Sequence, residues 1–206
     1  MIKEKKLSGV ILVSFEFPPR RLSKTSDQVA QLANFLAKQN VKTWVITFDD
    51  WRSDIENLRK NVSVVRIPNN IPNNITFLSS LMNLKPAYQS AIANIINERQ
   101  IDLIHIFEWT CLPAIIPWKE KLKQKLVYST TSVQKTRDPS TSPYNDGIKV
   151  IERKGAQIMD QIIADSKKIS EILVSDYKVD STKISLVKIN DKKYSEKTFE
   201  LYNKMI

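Results

Sequence analysis

Short, nearly continuous apolar runs alternate along this chain with segments of helical periodicity. GVILVSF, KTWVITF, NVSVVRI, IDLIHIF, LVYST, DQIIAD and KISLVKI read as strands. A run that is apolar at consecutive positions belongs to a strand buried on both faces, as the strands of a parallel sheet are. Between the runs, apolar residues recur every three or four positions, the period of an amphipathic helix. The alternation predicts an α/β fold: a Rossmann-like open, mostly parallel sheet with helices on both faces. A chain of 206 residues buries the core of one such domain and has little left for a second.

Within that frame, the first helix is expected to start near Thr25. TSDQ has the form of a capping box there, with Thr25 as cap and Gln28 three residues on. Val29, Leu32, Ala33 and Leu36 then supply its core face. IPNNIPNN is a turn-rich break, and residues 75–99 predict one or two helices interrupted at Pro86. A helical segment from Trp109 to Leu112 leads into the basic amphipathic stretch IIPWKEKLKQKL. Its Trp118, Leu122 and Leu126 either cover an edge of the sheet, the preferred reading, or rest on an anionic membrane surface. SVQKTRDPSTSPYNDG predicts a long mobile loop, and helices follow over IKVIERKGAQI and SKKISEILVSDY. Segment 194–206 predicts a helix docked on the domain, with Ser195 as N-cap and Phe199, Tyr202, Met205 and Ile206 on one apolar face.

Composition narrows the function. Apolar residues make up 42% of the chain and charged residues 26%, the balance of a soluble globular protein. No apolar run approaches the ~20 residues of a bilayer-spanning helix, so no stable membrane insertion is expected. The N-terminal MIKEKK and the short apolar run after it do not make a signal peptide. Cys111 is the only cysteine, which excludes an internal disulfide and suits a cytoplasmic protein. One histidine and one cysteine exclude the usual zinc clusters, and no metal or cofactor is expected. No G-x-S-x-G elbow accompanies His105, which argues against a serine hydrolase. The formal charge of +10 attracts anions, but the lysines are scattered and no nucleic-acid motif appears. The charge therefore reads as a solvated surface, and no nucleic-acid partner is expected.

Glycine is scarce. The chain has three, Gly9, Gly147 and Gly155, where an average usage of about 7% would give roughly fourteen. None lies at a phosphate-binding turn. G-x-G-x-x-G is missing after the first strand, which argues against a dinucleotide binder.

Four segments in order resemble one family, the GT-B glycosyltransferases of the glycogen and starch synthase type (glycosyltransferase family 4/5-like). SFEFPP resembles the end of strand one in that family's N-terminal domain, and DLIHIFEW is similar to its strand-four signature D-h-I-H-x-H-D-W. VIERKGAQIMDQIIADSKKISEIL resembles its run of helix glutamate, strand and helix. DYKVDSTKISLV resembles its Y-x-V-x-x-x-K-I-x-V-I-P-N-G. The ordered set spans residues 9–190. The resemblance implies that residues 1–190 form the acceptor-side Rossmann-like domain of a two-domain fold, with the nucleotide-sugar domain missing. Residues 191–206 are then the closing helix that packs on the same domain. It implies a glycogen-synthase-related domain without transferase activity on its own, which meets a glycan or nucleotide-sugar only together with a second domain. The alternative is a non-catalytic module that binds a glycan or a partner protein through the old cleft face.

Departures from the family pattern bear on the site. Where the family has a glycine pair in the first turn, this chain has PPRRLSKTSDQ. Without glycine a backbone neither takes positive φ easily nor comes so close to a ligand. Phe107 stands where the family has its second histidine, Glu108 replaces the aspartate, and His105 matches the first histidine. No catalytic residue is assigned. The substrate-binding candidates are Glu16, Arg20, Arg21, His105, Glu108 and Trp109. Glu16 follows strand one at its carboxyl end, where open α/β sheets bind ligands. It reads either as a partner for a sugar hydroxyl or as a solvated turn carboxylate. Arg20 and Arg21 read as a bidentate anion clamp or as a solvated pair, whose charge reversal would leave stability nearly unchanged. His105 lies in an apolar strand and reads as a core histidine bonded to backbone rather than as a ligand. Trp109 is either a sugar-stacking ring or a core residue. Glu152 matches a family helix position, and a salt bridge with Arg153 or Lys149 is its preferred role. An exposed cleft face is expected, with Glu16, Arg20, Arg21, Glu108 and Ser129 along its rim.

Overall fold

The computed structural model describes residues 6–50, 52–68 and 76–206. Most of the expected IPNNIPNN break and all but the last residue of MIKEKK lie outside these. Among the described residues, eight strands form one sheet in the order β3-β4-β2-β1-β5-β6-β7-β8. β1 (Gly9–Ser14), β2 (Lys42–Phe48), β4 (Val62–Ile67), β5 (Leu103–Phe107), β6 (Lys125–Thr130), β7 (Gln161–Ala164) and β8 (Ile184–Leu186) are parallel. β3 (Ile55–Arg59) runs antiparallel to β4 at one edge. The helices are α1 (Lys24–Lys38), α2 (Phe77–Glu98), α3 (Leu112–Ile115), α4 (Gln134–Arg137), α5 (Pro143–Gln157), α6 (Lys167–Ser175) and α7 (Tyr194–Met205). From β1 the chain builds outward through β2 and β4, then returns to the other side of β1 with β5. That reversal is the topological switch point of an open α/β sheet.

Successive side chains of a strand point to opposite faces, and β1 shows why every position is apolar. Val10 and Leu12 enter the core beneath α1 and α7, with Leu103 and Phe107 of β5. Ile11 and Val13 enter the core beneath α2, α3, α5 and α6, with Ile104 and Ile106.

Several local expectations give way to tertiary structure. Ser23, not Thr25, caps α1, its Oγ accepting from the Thr25 amide at 3.1 Å. Thr25 and Gln28 are buried instead, along with the expected Val29, Leu32, Ala33 and Leu36. α2 starts after the Thr76 cap and runs unbroken through Pro86. Proline removes the bond to the carbonyl four residues back, here that of Met82. Both residues are exposed, so water can serve that carbonyl, while Leu81, Leu84, Tyr88, Ile92 and Ile95 bury the opposite face. The expected mobile loop is ordered as α4 and the first turn of α5. Gln134 and Asn145 are buried within it and hydrogen-bonded to each other at 2.9 Å.

The stretch IIPWKEKLKQKL is the crossover between β5 and β6, two central strands. A 3-10 helix over Ile116–Lys121 carries Trp118, which packs with Leu122 on the core shared with α2, and Leu126 lies within β6. It covers a face of the sheet and not an edge. α7 follows Lys193 with no side-chain cap, so Ser195 falls inside its first turn. Tyr202 is fully buried, and Phe199, Met205 and Ile206 pack partly buried on the same core. Tyr194 and Thr198 are buried too, and Phe199 meets Phe35 of α1 edge-on at 5.8 Å.

Candidate functional site

The carboxyl ends of β1 and β5 part at the switch point and open a pocket of about 330 Å³. The turn after β1 supplies Phe15, Glu16, Arg20, Leu22 and Ser23 to its walls, and α1 and α2 add Thr25 and Phe77. Phe107, Glu108, Trp109 and Thr110 come from the end of β5, and Thr131 and Ser132 from the end of β6.

The glycine-free turn is closed by its own side chains. Glu16 Oε2 accepts from the amides of Leu22 at 2.6 Å and Ser23 at 2.7 Å, and its Oε1 accepts from the Ser23 hydroxyl. A carboxylate thus occupies the amides just ahead of α1, where a helix N-terminus favours an anion. Ser26 Oγ donates to the Arg20 carbonyl at 2.9 Å. Arg66 of β4, its side chain buried, donates to the Pro18 carbonyl at 2.9 Å while pairing with Asp49 and Glu56.

Arg20 and Arg21 do not form one clamp. Arg20 lines the pocket, pairs with Asp50, and lays its guanidinium 4.6 Å from the Phe48 ring and 5.3 Å from the Phe15 ring. Arg21 is exposed, pairs with Asp27 at 2.8 Å, and is not among the residues lining the pocket.

His105 lies in the core beneath α7 rather than in the pocket. Its Nδ1 bonds to the Tyr202 hydroxyl and its Nε2 to Ser129 Oγ at 2.7 Å, and Ser129 Oγ meets the Tyr194 hydroxyl at 2.9 Å. Its partners are therefore side chains, not backbone. Burial lowers its pKa to about 3, so the imidazole is neutral. α7 covers Ser129 as well, which takes that residue away from the expected exposed rim.

Glu108 is half-buried at the end of β5, with φ 60° and ψ 162°. Its amide donates to the Ser129 carbonyl at 2.9 Å. Its Oε1 accepts from the amide and hydroxyl of Thr131 at 2.9 and 2.8 Å. Burial pushes its carboxyl up to about 7, opposed by the Thr131 bonds and Arg137 and reinforced by Glu152. The Trp109 ring is buried, and it lines the pocket edge-on to Phe77 at 6.0 Å. Behind it, the Arg137 guanidinium lies 5.5 Å from the ring and pairs with Glu152. Glu152 also accepts from the Gln134 amide at 2.8 Å and from the Tyr177 hydroxyl. Lys149 pairs with Asp146 instead. Glu152 therefore anchors α4 and the wall behind Trp109, not its own helix face.

An open, mostly parallel sheet with a pocket at its switch point defines a Rossmann-like α/β domain. The chain belongs to Glycosyltransferase Family 4, whose sequence profile matches residues 26–188. No curated protein matches it by sequence. Sucrose-phosphate synthase from Thermosynechococcus elongatus superposes with a TM-score of 0.73 at 14% identity, over 88% of this chain and 48% of that one. A form of that enzyme designated 27_220_406_426 gives a TM-score of 0.73 at 14% identity, over 96% of this chain and 99% of that one. The catalytic domain of starch synthase IV from Arabidopsis thaliana, bound to ADP and acarbose, gives 0.62 at 10% identity, over 89% and 52%. The chain thus spans about half the length of the first and last of these, and identities this low establish the shared fold alone. No helix among the described residues is long and apolar enough to cross a membrane.

Proposed function

We propose that this chain is the acceptor-side half of a glycogen-synthase-related Family 4 glycosyltransferase. Residues 1–190 are the domain and residues 191–206 its closing helix. The observation that carries the reading is the pocket of about 330 Å³ between the ends of β1 and β5, where open α/β sheets hold their ligands. A free, buried thiol at Cys111 suits the cytoplasm.

On this reading the 206 residues do not transfer sugar by themselves. Transfer needs a departing diphosphate stabilised by preorganised donors, and losing one such donor typically costs about 10²–10³ in rate. Here Glu16 already takes the first-turn amides, and Phe107 stands where the family resemblance puts a sugar-contacting histidine. The test is to incubate the purified chain with ADP-glucose or UDP-glucose and a glucan, following nucleotide release and binding heat. Neither is expected. Micromolar donor affinity or glucan extension would overturn the reading.

A further inference from the structure

We propose that Glu108 selects the ligand of the pocket, binding one hydroxyl of a neutral sugar acceptor through its Oε2. The proposal rests on the acceptor-pocket reading above and adds to it the residue and the ligand class.

The backbone comes first. At φ 60° and ψ 162°, Glu108 occupies a region of conformational space that is essentially reserved for glycine. Strain of this kind persists where the surrounding fold over-determines it, and it clusters at ligand-contacting positions. The chain holds a carboxylate on the pocket wall at a place where a glycine would relax the turn.

The carboxyl is also aimed. Both Thr131 donors converge on Oε1 at 2.9 and 2.8 Å, which fixes the carboxyl group and leaves Oε2 without a protein partner among the described residues. An oxygen held in this way accepts from a hydroxyl when ionised, and a protonated carboxyl there can donate to one. The rest of the wall decides what carries the hydroxyl. Arg20 is the one cation among the described lining residues, and it is paired with Asp50 and flattened over Phe48 and Phe15. Its charge is thus already paired with a carboxylate, and only its buried Nε lacks a hydrogen-bond partner among the described residues. Phe15, Phe77 and Trp109 instead line the wall with aromatic carbon, apolar surface that the C–H face of a pyranose can contact. A neutral, hydroxylated ring fits both the charge and the walls.

Calorimetry with phenyl β-D-glucoside, and with glucose 6-phosphate as anionic control, tests this on the parent chain and on Glu108→Gly and Trp109→Ala. The parent is expected to bind the phenyl glucoside, and the phosphate more weakly. Glu108→Gly should weaken phenyl glucoside binding about tenfold or more, the effect of a lost charge-assisted hydrogen bond. Its thermal midpoint should hold or rise, because glycine relaxes the backbone. A midpoint that falls by more than about 4 °C would make Glu108 a brace for Thr131 and overturn the proposal, as would tighter binding of the phosphate. Undiminished binding by Glu108→Gly, with Trp109→Ala losing it, would sink the proposal and leave the acceptor pocket standing. A parent that binds neither probe would bring down both.

Discussion

At the scale of single residues, His105 is the chain's one histidine, so its titration is read without overlap. Burial holds its pKa at about 3, below the ordinary 6.5. The unfolded chain therefore takes up the proton first. The stability this residue contributes is complete above pH 6.5 and is lost as pH falls from there toward 3. Its ring nitrogen resonances should show no titration between pH 8 and pH 5 in a nitrogen-15 correlation spectrum, and a midpoint within that window would contradict the buried network. The two arginines of the first turn should separate in the same spirit. Arg20→Glu sets a second carboxylate beside Asp50 and removes a cation from the faces of Phe15 and Phe48. It should cost about 2 kcal/mol in urea unfolding. Arg21→Glu breaks only an exposed pair and should stay within about 0.5 kcal/mol. Neutral charge reversal is therefore predicted for Arg21 and not for Arg20.

Among the elements, α5 lies against α3 through Gly155, where an added Cβ would stand 2.6 and 2.8 Å from the Leu112 methyl carbons. Alanine gains about 1 kcal/mol over glycine in a helix, while overpacking a full core costs about 1–3 kcal/mol. Leu112 is fully buried, so its side chain must shift within a packed core, and Gly155→Ala should be destabilising by about 1 kcal/mol net. Gly147→Ala in the same helix meets only a Leu78 methyl at 3.8 Å. It should stabilise by up to about 1 kcal/mol, and urea unfolding of both variants checks the opposite signs. The strands buried on both faces were legible because their apolar runs leave no other reading. β3 was not, since IENLR pairs with β4 through its backbone and carries no apolar stripe. The scarcity of glycine was visible, but its resolution was not. Asn40, Asn61, Glu108 and Lys178 take the positive-φ positions, and asparagine tolerates the left-handed region best among residues with a Cβ. The site was half legible. Glu16, Arg20, Glu108 and Trp109 stand on the pocket wall, but Phe77 and Thr131 join them from segments that no local pattern links. Glu108 leaves β5 with its amide bonded to the Ser129 carbonyl of the neighbouring β6, a pairing that spacing does not encode.

Across the whole molecule, α7 holds the sheet through hydroxyls as well as through apolar contact. Removing residues 194–206 would strip Tyr194 and Tyr202 from Ser129 and His105 and open the core beneath α1. Each large apolar side chain lost contributes about 1.5–3 kcal/mol, and each buried polar group left without a partner costs about 1–3 kcal/mol. The thermal midpoint should fall by roughly 10 °C or more, which scanning calorimetry would measure; an unchanged midpoint would mean that α7 is not docked. Tyr202 follows His105 by 97 residues. A ribosome adding about 5–20 residues per second therefore makes the histidine roughly 5–20 s before its tyrosine. β6, β7 and β8 are synthesised in that interval, while the helix that covers the imidazole is still to come. The Tyr202 hydroxyl can close over His105 only once translation has passed residue 202.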